Sequence, residues 1–342
     1  MAPSTRGSGW RDVVIPGRDD LSSARAAGAA GTSAALTELA TEQAPAEGTQ
    51  AVPVGETVAR SQWTLIRRRF LRHRLAVVAL AVLFLLYLSA VFAKELSPFD
   101  LNPKLTASVL AEARHGPSFK HLLGTDELGR DQLTRILYAG RISLFVGLSV
   151  ALVSTLFGTL VGALAGYFGG WLDNLLMRIT DLVLVIPALA ILLIAGQKVK
   201  TSGGSSPEIV LVLAVLFWMP IARVVRGVFY SLKEKEFIEA ARATGASNRR
   251  IIFRHMLPNT IGPIMVNATL VVGLAIITES TLSFLGFGIQ PPTPDWGADI
   301  SGAAQYLGAG YWWETLFPAL AIASLVIAIN LIADSIEAVV IQ

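Results

Sequence analysis

The chain has 342 residues, of which 53% are hydrophobic without counting Gly and only 15% are charged, and its mean hydropathy is +0.57. Soluble domains carry about 25% charged residues, so this composition argues against a soluble enzyme and favours a membrane protein. The 28 basic and 25 acidic residues nearly cancel, which gives no support to a nucleic-acid partner, and the absence of Cys excludes disulfides, thiolate metal sites and cysteine nucleophiles.

The first 60 residues are rich in Ala, Gly, Thr, Ser, Pro and Glu, with a low-complexity stretch at residues 24–59. Such a segment buries too little apolar surface to offset the entropy that ordering would cost. We therefore predict that residues 1–60 form a disordered tail on the cytoplasmic side.

An uncharged run at residues 75–92 follows this tail. A helix rises about 1.5 Å per residue, so the run is about long enough to cross a bilayer core of about 30 Å. Five arginines precede it: Arg67, Arg68, Arg69, Arg72 and Arg74. Residues 61–93 are therefore predicted to form a basic flank and a first transmembrane helix.

A twin-arginine export signal is the competing interpretation of this region. Arg68 and Arg69 precede Phe70 and Leu71, and a cleavage site would lie near Ala93. The run begins more than sixty residues into the chain, however, and the sequence after it is itself membrane-like. Export of a folded product does not fit that pattern, so we favour an uncleaved helix.

Five further apolar segments predict the remaining spans. They are residues 142–168, 182–195, 209–222, 261–288 and 316–333. The second and third of these are shorter than the roughly twenty residues that a span needs. Each must therefore extend through flanking charged residues if it crosses the membrane.

The distribution of basic residues predicts the topology. The first arginine cluster and a second basic region at residues 223–254 should both be cytoplasmic by the positive-inside rule. An even number of spans must then separate them, and the loop at residues 286–315, which has no Lys or Arg, should lie outside. We predict an all-α polytopic protein with six transmembrane helices and both termini in the cytoplasm. Its outer loop is residues 94–140 and its five-helix core is residues 141–342.

The loop at residues 223–259 has the most specific pattern in the chain. Its predicted helix places Phe237, Ala240, Ala241 and Thr244 at i, i+3, i+4 and i+7, so these residues should share one face. The small side chains on that face would let another protein approach closely.

Gly245 follows where a helix would end in a left-handed residue. Ser247 or Asn248 can cap a second short helix, and Pro258 is expected to stop it. From the residues alone, an ordinary amphipathic connector on the membrane surface remains open, with Glu239 and Arg242 as a solvated pair.

These residues resemble the "EAA" loop of the membrane subunits of binding-protein-dependent ABC importers. The matching positions are Glu239, Ala240, Ala241, Gly245, Leu257 and Pro258. The family pattern has Ile where this chain has His255. An Arg-His pair before Leu-Pro-Asn is usual in the oligopeptide and dipeptide branch, so Arg254, His255 and Asn259 narrow the resemblance to that branch.

Two other stretches are similar to the C-type permease of the same branch. The first comprises Gly124, Thr125, Asp126, Gly129, Arg130 and Asp131. The second begins at Glu279 and Ser280 and continues through residues 282–286 and 291–297. The resemblance covers residues 61–342 and implies the type I ABC importer permease fold.

Residue chemistry offers plainer explanations for some of these positions. Asp126, Glu127 and Asp131 suggest a cation site, but they lack the ligand spacing of a calcium loop. We prefer Thr125 or Asp126 as the cap of a helix that runs toward Gly140.

Glu279 lies in an otherwise uncharged run, where a carboxylate is expensive. It predicts either a pathway residue or a structural contact near the outer interface. None of the four His residues has the paired spacing of a metal ligand.

No Gly-x-x-x-x-Gly-Lys-Ser/Thr loop occurs in the sequence, so ATP hydrolysis would lie on another subunit. The resemblance implies a chain without catalytic residues, metal or cofactor of its own, in the bacterial inner membrane. It implies as partners a second homologous permease, ATP-binding subunits that hold ATP and Mg²⁺, a peptide-binding protein outside the membrane, and a peptide substrate.

Three alternatives of function stay open at this point. Relatives in the same branch carry nickel chelates or other small solutes in place of peptides. A secondary transporter would need an organised relay of ionisable residues within the membrane, and Glu279, Asp334 and Glu337 form no obvious relay. A membrane-embedded hydrolase would need a Ser/His or metal constellation within the spans, and no His falls in a predicted span.

Overall fold

A computed structural model describes residues 74–201 and 205–340, and the described residues are helical, without β-strands. In chain order the α-helices are α1 (Arg74–Val91), α2 (Ala93–Leu96), α3 (Ala107–Leu110), α4 (Gln132–Phe168), α5 (Gly170–Val185), α6 (Ala188–Thr201), α7 (Ser206–Lys233), α8 (Glu236–Ala243), α9 (Asn248–Arg250), α10 (Leu257–Phe284), α11 (Trp296–Ala304) and α12 (Trp312–Val340). The predicted tail at residues 1–60 and the basic flank at residues 61–73 lie outside the described residues.

Five helical stretches in the described residues are long and apolar enough to cross a membrane. They are α1, α4, α7, α12 and the continuous stretch Asn248–Phe284. The bent pair of α5 and α6 adds a sixth span if it crosses as one unit. These helices confirm the all-α polytopic membrane fold that the composition predicts.

The segment predicted at residues 182–195 is not a straight helix. The chain bends by 82° between α5 and α6, and Ile186 has an extended backbone with ψ of 130°. Pro187 explains the break, because proline offers no N–H and disfavours the helical conformation of the residue before it. The third predicted span is therefore a broken pair of helices.

A stripe of glycines joins α4 to α7. Gly158, Gly162 and Gly166 recur every four residues, and a Cβ at any of them would lie closer than 3.0 Å to an atom of α7. The two backbones therefore touch, which is how small residues at this spacing pack helices in membranes. The largest hydrophobic cluster of the described residues forms around this contact and includes Met219 and Phe229 of α7.

The opposite side of α4 carries large apolar side chains. Leu152 and Leu156 are more than half exposed in the isolated chain. Such a surface is stable only against lipid or another apolar helix, so this side of α4 faces one or the other in the membrane.

Candidate functional site

The predicted helix, turn and helix in the loop at residues 223–259 is present. Helix α8 ends at Ala243, and Gly245 follows with φ of +79°. The Gly245 N–H donates to the Arg242 carbonyl at 2.9 Å, and the Ala246 N–H donates to the Ala241 carbonyl at 3.0 Å. This pair of bonds is a Schellman motif, which requires the left-handed residue that glycine adopts without steric penalty.

The exposed face of α8 differs in one residue from the predicted face. Phe237, Ala240 and Thr244 are exposed, as is Glu239. Ala241 instead packs against the hydrophobic core near the fully buried Ile238. Ile238 and Ala241, three residues apart, anchor the helix to the core, so the prediction that Ala241 shares the open face is wrong.

Ser247 begins the second short helix, since its side chain accepts a hydrogen bond from the Arg250 N–H. The expectation that Pro258 stops this helix is wrong. A π-helical segment, Ile251–Met256, leads directly into α10, and Pro258 lies in the first turn of α10 beside Leu257. The shift in hydrogen-bond register at the π segment leaves room for a residue without an N–H, so the helix continues through the proline.

Two polar contacts tie this loop and α7 to their neighbours. The Tyr167 hydroxyl at the end of α4 donates to the Asn248 side-chain oxygen at 2.7 Å. Asp173 of α5 accepts from the Arg226 guanidinium at 2.7 Å and from the Tyr230 hydroxyl at 2.8 Å. Sequence reasoning missed both contacts, because the partners are 53 to 81 residues apart and follow no periodicity.

The residues from Gly124 to Asp131 form a compact turn ahead of α4. The Asp126 carboxylate accepts from the Leu128 and Arg130 N–H groups at 2.9 Å each and from the Arg130 side chain at 2.7 Å. Gly129 has φ of +75°, and a Cβ there would collide with the Val109 carbonyl group. The turn therefore depends on a glycine at this position.

Asp131 is the cap of α4, so the prediction that Thr125 or Asp126 caps the helix is wrong. The Asp131 carboxylate accepts from the Thr134 N–H at 2.8 Å and the Thr134 hydroxyl at 2.9 Å. Its other oxygen lies 2.8 Å from Nδ1 of the buried His121. The helix begins at Gln132, so Asp131 is the N-cap residue and its side chain is the one that can accept from the free N–H groups of the first turn.

His121 links Asp131 to Glu112. Its Nε2 lies 2.9 Å from Glu112, and its ring stacks on Phe99. Hydrogen bonds lower the pKa of the Glu112 carboxyl, with the larger effect from Lys120 and the smaller from His121. The described residues contain no group of three or more His, Asp or Glu arranged to hold a metal ion.

Long-range contacts hold the turn at residues 124–131 and the start of α4 to α11 and α12. The Trp313 indole donates to the Thr125 carbonyl at 3.2 Å, and the Trp296 indole donates to the Ile136 carbonyl at 3.1 Å. Arg135 of α4 is paired with Asp299 of α11. Burial raises the pKa of the Asp299 carboxyl, and the charge of Arg135 acts in the opposite direction.

Glu279 is fully buried near the C-terminal end of α10. The Ser283 hydroxyl donates to it at 3.0 Å and the Ser280 hydroxyl at 3.4 Å. The Asp295 carboxyl, which caps α11, is close enough to interact with it electrostatically. Of the two predicted roles, these contacts favour the structural one.

Two family models match the chain. Residues 158–342 match the model described as binding-protein-dependent transport system inner membrane component. Residues 61–117 match the model for the N-terminal transmembrane domain of oligopeptide transport permease C.

Curated relatives match most of the chain. A putative peptide transport system permease protein of Brucella abortus is 38% identical over 280 residues, covering 82% of this chain and 92% of that protein. A glutathione transport system permease protein of Shigella flexneri is 40% identical over 279 residues, covering 81% and 89%. The corresponding glutathione permease of Escherichia coli O6:K15:H31 is 39% identical over the same length and with the same coverage.

Proposed function

Since this chain belongs to the family of binding-protein-dependent transport system inner membrane components, we propose that it forms half of the transmembrane passage of an ATP-driven importer for peptides. Relatives named as peptide and glutathione permeases support a peptide substrate. The other half would be a second, homologous permease. Membership of this family supports an ATPase and a binding protein as partners, and in this proposal the chain itself is a transport subunit without a catalytic role.

The helix, turn and helix of the loop at residues 223–259, here called the coupling loop, is the observation that carries the proposal. Ala240 offers a side chain of one carbon on the exposed side of α8, and Phe237 is exposed beside it. The exposed aromatic side chain can insert into a pocket of a partner, and the small side chain beside it lets the partner approach the helix backbone closely. We also assign ATPase coupling to Glu239, Gly245, Leu257 and Pro258. Ala241 supports these residues by packing against the hydrophobic core.

Energy for import must enter through this loop. In this proposal ATP and Mg²⁺ are bound by the partner ATPase, and the chain holds no cofactor of its own. ATP binding closes the two nucleotide domains and draws the two coupling loops together. The membrane cavity then opens outward to receive peptide from the binding protein, and hydrolysis returns it to the inward-facing state.

The contacts around the coupling loop give it a route into the membrane bundle. Tyr167 connects α9 to the end of α4, and the π segment connects α9 to α10 without an intervening loop. A displacement of α8 and α9 therefore acts on two membrane helices at once. We place the coupling loop and both termini on the cytoplasmic side of the bacterial inner membrane.

Docking can be tested at Ala240. A Trp at this exposed position would hold the ATPase surface away from α8, so Ala240→Trp should abolish co-purification of the ATPase, or its stimulation by peptide-loaded receptor. Ala304→Trp is the matched control, since Ala304 is also an exposed helical alanine but lies in α11. Full receptor-stimulated ATPase activity in the Ala240 variant would make the loop a passive connector and remove the main support for the proposal.

A further inference from the structure

A polar cavity lies between the outer turn at residues 124–131, the loop after α10, helix α11 and the start of α12. Its volume is about 230 Å³, which is room for roughly eight water molecules at about 30 Å³ each. Six charged residues line it: Asp126, Glu127, Arg130, Arg135, Asp299 and Glu314. The cavity is smaller than a site for a drug-sized molecule, so it suits one end of a larger ligand.

Three of these side chains are buried and incompletely satisfied. Arg135 Nη1, Asp299 Oδ2 and Glu314 Oε1 have no hydrogen-bond partner, although the side chains are only 8%, 8% and 5% exposed. The nearest cation to Glu314 Oε1 is Arg114 Nε at 3.7 Å. Buried polar atoms are almost always satisfied. The three residues line one cavity, and a small rotation of their side chains would offer these buried atoms to a partner from outside the chain.

The charges of the lining define the chemistry of that partner. Four carboxylates and two guanidinium groups line the cavity, and Arg114 pairs with Glu127 and Glu314 from outside the lining, which leaves an excess of one negative charge. Asp299 and Glu314 need N–H donors, whereas Arg135 needs an acceptor. A protonated amino group with a carbonyl on the neighbouring carbon supplies both, and this is the structure of a peptide amino terminus.

We propose that this cavity binds the amino-terminal residue of a peptide at the outer mouth of the transporter. The proposal rests on peptide import as the function of the chain. The ammonium group would lie between Asp299 and Glu314, and the first peptide carbonyl would accept from Arg135. The cavity thus gives the permease its own recognition of a free amino terminus, separate from that of the binding protein.

The first test varies the ligand and leaves the protein unchanged. The transporter, assembled with its sister permease and ATPase in lipid nanodiscs without the binding protein, is examined by saturation-transfer NMR with three probes. Ala-Ala and Ala-Ala amide should both give signals, and N-acetyl-Ala-Ala should give at least tenfold less because its nitrogen carries no charge. Equal signals from all three probes, or no signal from any, would overturn the proposal.

The second test fills the cavity without touching an ion pair. Gly302 of α11 lines the cavity, and a Cβ there would meet no atom within 4 Å. Gly302→Leu should remove the Ala-Ala signal and raise the KM for peptide uptake several-fold, with stimulation by saturating receptor unchanged. Gly308→Leu is the control, because Gly308 is equally open but lies outside the lining.

The remaining outcomes separate the site from its competitors. An unchanged Ala-Ala signal in Gly302→Leu would show a cavity that holds only water and would overturn the proposal. Weakened docking of peptide-free receptor with an intact Ala-Ala signal would assign the cavity to the receptor and overturn it as well. Amine-dependent binding in a transporter that takes up no peptide would support the site and refute peptide import.

Discussion

Gly245 is the position where a single substitution should separate energy supply from transport. Its φ of +79° costs an L-residue about 1–2 kcal/mol. A Cβ there would meet no atom within 4 Å, so Gly245→Val adds backbone strain without a clash. If the chain left the left-handed conformation, it would lose the two hydrogen bonds of the turn, each worth about 0.5–1.5 kcal/mol.

Both routes cost a similar amount, so the valine variant should populate the native turn and other conformations together. A loss of about 1–2 kcal/mol lowers the population ratio of the native turn by a factor of about 5–30. Because the two states then have similar free energies, about half of the variant molecules keep the native turn, and we expect receptor-stimulated ATPase activity and peptide uptake in proteoliposomes to fall roughly twofold. Insertion and pairing with the sister permease should be unchanged, because a Cβ at Gly245 would reach no atom of a membrane helix.

Two variants make this prediction sharp. Gly245→Asn should recover most of the activity, because Asn adopts the left-handed conformation more readily than Val. Gly310→Val introduces the same strain in the loop between α11 and α12, where φ is +97° and the space is open, and it should leave stimulation intact. Full activity in Gly245→Val, or an Asn variant as impaired as the Val variant, would refute the reasoning.

Three further predictions follow from the topology and the polar contacts. The chain has no native Cys, so single-Cys variants can report the topology without background. A Cys at Ala304 should react only with a thiol reagent added outside, and a Cys at Glu234 only with one added inside. The reverse pattern would contradict the topology. Glu279→Gln should assemble and transport normally, because the amide oxygen can still accept the hydrogen bonds of the Ser283 and Ser280 hydroxyls. Glu279→Ala should lower the free energy of unfolding by about 1–3 kcal/mol. Altered uptake kinetics in the Gln variant would favour a pathway role. Tyr167→Phe and Asn248→Ala should each lower the number of peptides transported per ATP hydrolysed. The double variant should be no worse than either single variant, which corresponds to a coupling energy of about 0.5–1.5 kcal/mol. Additive losses would show that the two side chains act independently.

The turn at Gly245 could be predicted because its rule is local. A helix that ends in a left-handed residue needs only the sequence of one turn, and Gly245 and Ser247 satisfy it. The prolines show where such rules stop. Pro187 breaks a helix, whereas Pro258 sits in the first turn of one and Pro220 lies inside another. Neighbouring helices and small changes in register decide whether the freed carbonyl is satisfied, and a single segment does not reveal them.

The polar contacts of the site were hidden for a related reason. Glu279 stood out because a charge interrupts an apolar run, but its neighbour Asp295 lies across a turn on another helix. Arg135 and Asp299 are 164 residues apart. A carboxylate and a guanidinium far apart in sequence carry no periodic signal, so only the folded chain brings them together.

The glycine contact between α4 and α7 connects the coupling loop mechanically to the opposite end of the membrane bundle. The coupling loop is joined to α7 through the short link before α8 and to α4 through Tyr167. Gly158 and Gly162 bring the backbones of α4 and α7 into contact, so the two helices have little freedom to slide past each other. A displacement at the cytoplasmic end should therefore move α4 and α7 as one body. At the far end of α4, the Arg135 contact to Asp299 carries that movement to α11 and to the cavity where we place the peptide amino terminus.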